Sequence, residues 1–178
     1  CAETGVEGHF VVRQGSRYVV CTCAKDEVRS VDATISSGSL IPLSVFDMVG
    51  RFDEGFFIDA IDTDWCLRAR ASGYGIFAVG SAQLKHRLGD DYHRIWFLGR
   101  QRRILLHSPL RSYTIARNNL ALAGRPHASA AWRRFVIVML AQRLMCFLTF
   151  GPQRWQHAKA LGRGVVDGLR GKTGEPVI

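Results

Sequence analysis

The chain has 178 residues, 47% apolar and 22% charged, which suffices for one domain with its own core and excludes a disordered or low-complexity segment. Its net charge is +9, from 24 basic and 15 acidic residues. Beyond Gln101 the only acids are Asp167 and Glu175, against arginines and lysines running from Arg102 to Lys172, so this part calls for an anionic neighbour: a membrane surface, a phosphate-bearing ligand or nucleic acid.

Residues 9–13 and 17–24 are β-rich, and Gln14-Gly15-Ser16 between them signals a hairpin turn. Cys21 and Cys23 then share one face of a strand. Five cysteines without a framework spacing fit a reducing compartment, and packed thiols fit better than a zinc site, which would need two further ligands. Residues 25–31 read as a polar loop and 34–41 as a strand crossing a patch of small residues. Pro42 opens a short helix that Gly50 ends. A helix over 63–72 follows, capped by Asp62 or Thr63, with Asp64 in its first turn, Asp64 and Arg68 spaced to pair, and Gly73 as the stop. Residues 74–79 and 82–86 read as strands. Helices are predicted over 112–123 and 128–150, and a last one begins at Gly151-Pro152 and gives way to a frayed tail from Gly171. The apolar run 135–150, interrupted by Gln142-Arg143, is short for a membrane span, and Arg and Trp at both ends suit a lipid headgroup region or packing on a partner. The chain opens on Cys1-Ala2-Glu3 without a leader pattern and reads as part of a longer protein.

The chemistry concentrates in residues 50–70, where Asp59, Asp62 and Asp64 crowd a corner lined by Phe56, Phe57, Ile58, Ile61 and Trp65. Apolar surroundings raise a carboxylate pKa and make a general base, while a helix N-terminus lowers it; a plain helix cap is the competing reading of Asp62. Ser36-Ser37-Gly38-Ser39-Leu40-Ile41, then Val49-Gly50-Arg51-Phe52-Asp53-Glu54, then residues 56–70, then His86, follow one another in order. His107-Ser108-Pro109-Leu110-Arg111-Ser112-Tyr113, Arg117-Asn118-Asn119 and residues 164–171 continue the series. Together these resemble the acceptor-side half of family-2 inverting glycosyltransferases, closest to the bacterial rhamnosyltransferases of cell-surface polysaccharide and O-antigen synthesis.

The resemblance implies an α/β fold: the C-terminal half of a GT-A domain over residues 1–111, then a helical, basic, membrane-facing extension over 112–178. It implies a nucleotide-sugar donor and a saccharide or polyprenyl-diphosphate-linked acceptor. Asp62 takes the place of the base that deprotonates the acceptor; the Glu that usually precedes it is Ile61 here. His86 takes the place of a histidine that ligates Mg2+ or Mn2+ or touches the donor diphosphate. Ser37, Gly38 and Ser39 would line the floor of the site, Gly38 allowing close approach, and Arg87 would contact either diphosphate or solvent. Asp59 faces either the acceptor or solvent, and Trp65 either stacks on a sugar or anchors its helix. Asp62-Thr63-Asp64 spells the metal motif of this fold, yet the family places that motif well upstream, and Asp64 reads as structural. Asp53 and Glu54 close a turn; His93 and His107 read as surface or packing residues. The expected location is cytoplasmic, at the inner face of the cell membrane, with a homo-oligomer admitted and nucleic acid not among the partners. The competing class is a non-catalytic basic module for anionic membrane or nucleic acid, which leaves the acidic, aromatic corner unexplained.

Overall fold

The structure, a computed structural model, describes residues 10–84, 92–97, 100–105 and 108–176, with side chains outside 92–105. Three two-stranded antiparallel sheets and five α-helices make up the described chain. Strands β1 (Phe10–Gln14) and β2 (Arg17–Cys21) form the predicted hairpin about Gly15, whose φ of 59° the turn requires. Cys23 lies past the end of β2; it and Cys66 donate to backbone carbonyls, and the described cysteines are free thiols.

The stretch expected to be a polar loop instead holds β3 (Val28–Val31), which pairs with β4 (Ile76–Val79). A partner so distant in sequence, and a strand with only two apolar residues, left no local signal. The strand expected over 34–41 is absent: Ser39 N donates to Ser36 O and Gly38 has a φ of 79°, so the segment is an exposed turn. Residues 82–84 carry no regular structure, and 85–86, the end of that predicted strand, lie outside the described residues. Strands β5 (Tyr92–Phe97) and β6 (Arg100–Leu105) form a hairpin that the sequence reading did not anticipate.

Helix α1 (Leu43–Val49) starts after Pro42 and ends at Gly50, φ 83°. Helix α2 (Ile61–Ala71) begins two residues earlier than predicted, because Ala60 in the left-handed region, rather than Asp62 or Thr63, occupies the cap. Asp62 and Asp64 fall in its first turn and Arg68 and Arg70 in its last, matching the helix dipole. Helix α3 (Pro109–Ala123) is capped by Ser108, whose Oγ accepts from Arg111 N at 3.2 Å, and it starts on Pro109, so it reaches three residues further back than predicted. Helix α4 (Ala130–Phe150) is capped by Ser129, and α5 (Arg154–Leu169) follows Gln153 in the left-handed region.

One core joins these elements: Phe56, Cys66 and Leu67 meet Ile115, Ala116 and Leu122 of α3, Trp132, Val136, Leu140 and Phe147 of α4, and Leu161 of α5. Tyr18 of the first hairpin stands edge-on to Trp132 with ring centroids 4.9 Å apart. Helices α3 and α5 pack almost backbone to backbone at Gly164 and Gly168, where a Cβ would come within 2.5 Å of the Tyr113 and Arg117 carbonyl oxygens. Buried His157 of α5 is hydrogen-bonded to Ser112 Oγ through Nδ1 at 2.8 Å and stacks on Phe147.

The frayed tail predicted from Gly171 is instead folded. Lys172 N donates to Asp167 O, Lys172 Nζ pairs with Asp167 at 2.8 Å, and Gly174 N donates to Gly55 O, which closes the C-terminus over the corner before α2. Among the described residues no helix is long and apolar enough to cross a membrane.

Candidate active site

The corner over residues 53–64 is gripped from outside by α3 and the segment that follows it. Asp53 accepts from Gly55 N at 2.9 Å and pairs with Arg125 at 2.7 Å, while the Arg125 guanidinium also lies over the Phe56 ring. Asp64, 1% exposed, accepts from Arg68 Nε at 2.8 Å and is hydrogen-bonded to His127 Nε2 at 2.9 Å. Arg68 Nη1 and Nη2 also donate to the Val49 and Arg51 carbonyls, tying the end of α1 to α2. This confirms the i, i+4 pair and the structural role of Asp64.

The Asp59 carboxylate is mostly buried and tied to α3. Its Oδ2 accepts from Thr114 Oγ1 at 3.0 Å and its Oδ1 meets Arg111 Nε and Nη2 at 3.4 Å. Burial lowers the pKa of Arg143 on α4, against the pull of Asp59 and with the push of Arg111, which sets a second cation near the same carboxylate.

The backbone here leaves the ordinary regions. Phe57, Asp59 and Ala60 have φ of 60°, 65° and 63°, three of the four non-glycine residues with positive φ among the described residues. Each costs about 1–3 kcal/mol and persists only where the surroundings hold it. Fully buried Asn118 supplies that hold: its Nδ2 donates to Phe56 O at 2.7 Å, to Ile58 O at 2.5 Å and, more weakly, to Asp59 O at 3.2 Å. Its Oδ1 accepts from Arg117 Nε at 2.9 Å, which fixes the amide with its donors toward those carbonyls.

Asp62 differs from its neighbours. Among the described residues its carboxylate makes no hydrogen bond or ion pair, and it stands half-buried in the first turn of α2, a few positions along the chain from the exposed Phe57 and Ile58. Its charge contributes to the raised pKa of Cys66, one turn on, whose main cause is burial. It is a free carboxylate on a rigid support, the arrangement a proton acceptor needs.

The other predicted residues are distributed as follows. Trp65 is a core anchor: it is buried, its Nε1 donates to Gly50 O at 2.9 Å, and its ring packs with Phe46 and Phe52, so it has no open face for a sugar. Ser37, Gly38 and Ser39 sit on the exposed turn, and a Cβ on Gly38 would touch Leu84 at 3.0 Å, which puts the turn beside the segment leading to residue 86. His86, Arg87 and His107 lie outside the described residues, and of His93 only its place in β5 is described. Among the described residues no three His, Cys, Asp or Glu side chains gather as a metal site.

Arg111, Thr114, Asn118, Arg125 and His127 escaped the sequence reading as contributors to the corner. Arg111, Thr114 and Asn118 stand at i, i+3 and i+7, one face of α3, and that polar stripe was the available signal. A polar stripe ordinarily marks the solvent side of a helix; here Thr114 and Asn118 are buried against the corner's backbone.

No family model matches the chain, and no solved structure does. It is similar to the dTDP-rhamnosyl transferase RfbF of Shigella flexneri, 28% identical over 93% of this chain. The match spans 59% of that protein's length, its C-terminal part. The motifs that suggested a rhamnosyltransferase thus meet an independent match along nearly the whole chain, and the chain is a homologue of a rhamnosyl transferase.

Proposed function

We propose that this chain carries the acceptor-activating part of a transferase that moves rhamnose, or a similar sugar, from a dTDP-linked donor to a hydroxyl of a saccharide or polyprenyl-diphosphate-linked acceptor. The observation that carries the proposal is the isolation of Asp62. Asp53, Asp59 and Asp64 each have fixed partners, while Asp62 is left without a hydrogen bond or ion pair among the described residues, in the position where the family resemblance puts the base. Similarity to a dTDP-rhamnosyl transferase supports the donor.

In this reading the Asp62 carboxylate takes the proton of the acceptor hydroxyl. The acceptor oxygen forms its bond to the anomeric carbon as the bond from that carbon to the nucleoside diphosphate breaks, and the configuration inverts. Asp62 stands in the first turn of α2, and exposed Phe57 and Ile58 offer apolar surface to a sugar ring. A GT-A arrangement of the whole enzyme belongs to the same reading. So does a Mg2+ or Mn2+ ion with His86 among its ligands, which would offset charge on the diphosphate.

The reading also includes peripheral contact with an anionic membrane. Ile137, Val138 and Met145 are exposed on α4, Arg133 and Arg134 are exposed near its start, and Trp155 is exposed just past its end. The deciding experiment is Asp62→Asn in the intact protein, with sugar transfer and donor binding measured separately. Turnover should fall by about 10²–10⁴-fold with donor affinity retained. Unchanged turnover would remove Asp62 from the mechanism.

A further inference from the structure

The three positive-φ residues that precede α2 have no local reason to be there. Phe57 and Ala60 carry no side-chain group able to bond their own backbone in the left-handed region, and glycine occupies none of the three positions. What holds them comes from α3, more than fifty residues further along: Asn118 on the carbonyls of Phe56, Ile58 and Asp59, and Thr114 with Arg111 on the Asp59 carboxylate. The held segment runs straight into α2, with Asp62 two residues past Ala60. The dihedrals of Asp59 and Ala60 therefore set the direction of the first turn and with it the place of the Asp62 carboxylate. A rigid backbone clamped at the carbonyls and at one side chain has little freedom left to move that carboxylate.

We propose that Asn118 is a positioning residue for Asp62, with Thr114 as its auxiliary: α3 works as a clamp that fixes the base against the acceptor hydroxyl. The proposal rests on the reading of Asp62 as the base. It assigns a task to the Arg117-Asn118-Asn119 motif that the mechanism otherwise leaves idle. A proton acceptor displaced by about 1 Å can lose on the order of 10²-fold in rate, so the clamp should act on turnover rather than on substrate affinity.

Asn118→Ala removes the three backbone contacts, and Thr114→Val removes one bond to Asp59 at nearly constant shape. In the intact protein Asn118→Ala should lower kcat by about 10²-fold and Thr114→Val by about 10-fold, each with donor KM within about twofold of the parent. Thermal unfolding run alongside reports how much of each sample is folded, and Thr114→Val decides the matter if Asn118→Ala does not fold. A merely structural role predicts the opposite pattern: a lower unfolding midpoint with kcat per folded molecule unchanged, which would overturn the proposal. Asp62→Asn, measured beside them, keeps the two readings apart. If it is inactive while both clamp variants keep their kcat, the base stands and the clamp falls; if it is active, the base itself falls and takes the clamp with it.

Discussion

Three glycines of α5 allow packing to be separated from helix propensity by one repeated substitution. Gly162 faces open space, whereas Cβ atoms on Gly164 and Gly168 would stand 2.5 Å from carbonyl oxygens of α3 and 2.9 Å from the Cβ atoms of Ala116 and Leu120. Carbon contacts settle at roughly 3.5–4.0 Å, so a methyl at either position must drive the two helices apart by about 1 Å. A carbonyl oxygen cannot rotate away as a side chain can, which puts the cost near the upper end of overpacking, about 3 kcal/mol. Alanine returns about 1 kcal/mol of propensity in a helix interior. Gly164→Ala should therefore cost about 2 kcal/mol net, while Gly162→Ala gains up to about 1 kcal/mol. With a urea slope of about 2 kcal/mol per molar, the two midpoints should separate by about 1.5 M. Urea unfolding followed by far-ultraviolet circular dichroism measures the difference. Equal shifts for the two variants would refute the backbone-to-backbone packing of α3 and α5.

Further outcomes follow from other sites. Burial lowers the pKa of His157, so the unfolded chain takes up a proton that the folded one refuses once pH falls below about 6.5; stability should drop through that window and level off below the depressed folded value. His157→Gln should flatten that part of the urea-midpoint profile, and an unaltered profile would show that His157 does not titrate there. Asp64→Ala leaves Arg68 and His127 without their shared carboxylate and should cost about 3 kcal/mol, read as a fall of about 10 °C in the thermal midpoint; a change under about 2 °C would contradict its buried role. Arg133→Glu with Arg134→Glu should weaken sedimentation with anionic vesicles at least tenfold, at about 1 kcal/mol per basic residue, and equal binding to neutral vesicles would exclude the charge-led contact.

The parts that could be read from the sequence are those written in neighbouring residues. The first hairpin shows in its β-branched strands around Gly15, α1 in Pro42 and Gly50, and the tie across α2 in the spacing of Asp64 and Arg68. What could not be read depends on partners far along the chain. Residues 28–31 look like a loop until β4 pairs with them, and Ala60 looks like an ordinary helix former until Asn118 holds the turn before it. The site was legible as a register: Asp62 is singled out by motif order, and the structure adds that its neighbours are occupied. For Trp65 the sequence left two roles open, stacking on a sugar or anchoring its helix, because an aromatic ring beside carboxylates suits both; the buried indole joins α2 to the end of α1.

The grip on the corner has a consequence for synthesis. Asp62 leaves the ribosome long before Asn118, Arg125 and His127, and Gly174, which meets Gly55, is made later still. A nascent chain ending before α3 would carry the acidic segment without the groups that bend it, and its left-handed residues would relax toward ordinary dihedrals. The geometry around Asp62 can therefore be completed only after translation has passed α3. An arrested or truncated product would hold the carboxylate but not its placement.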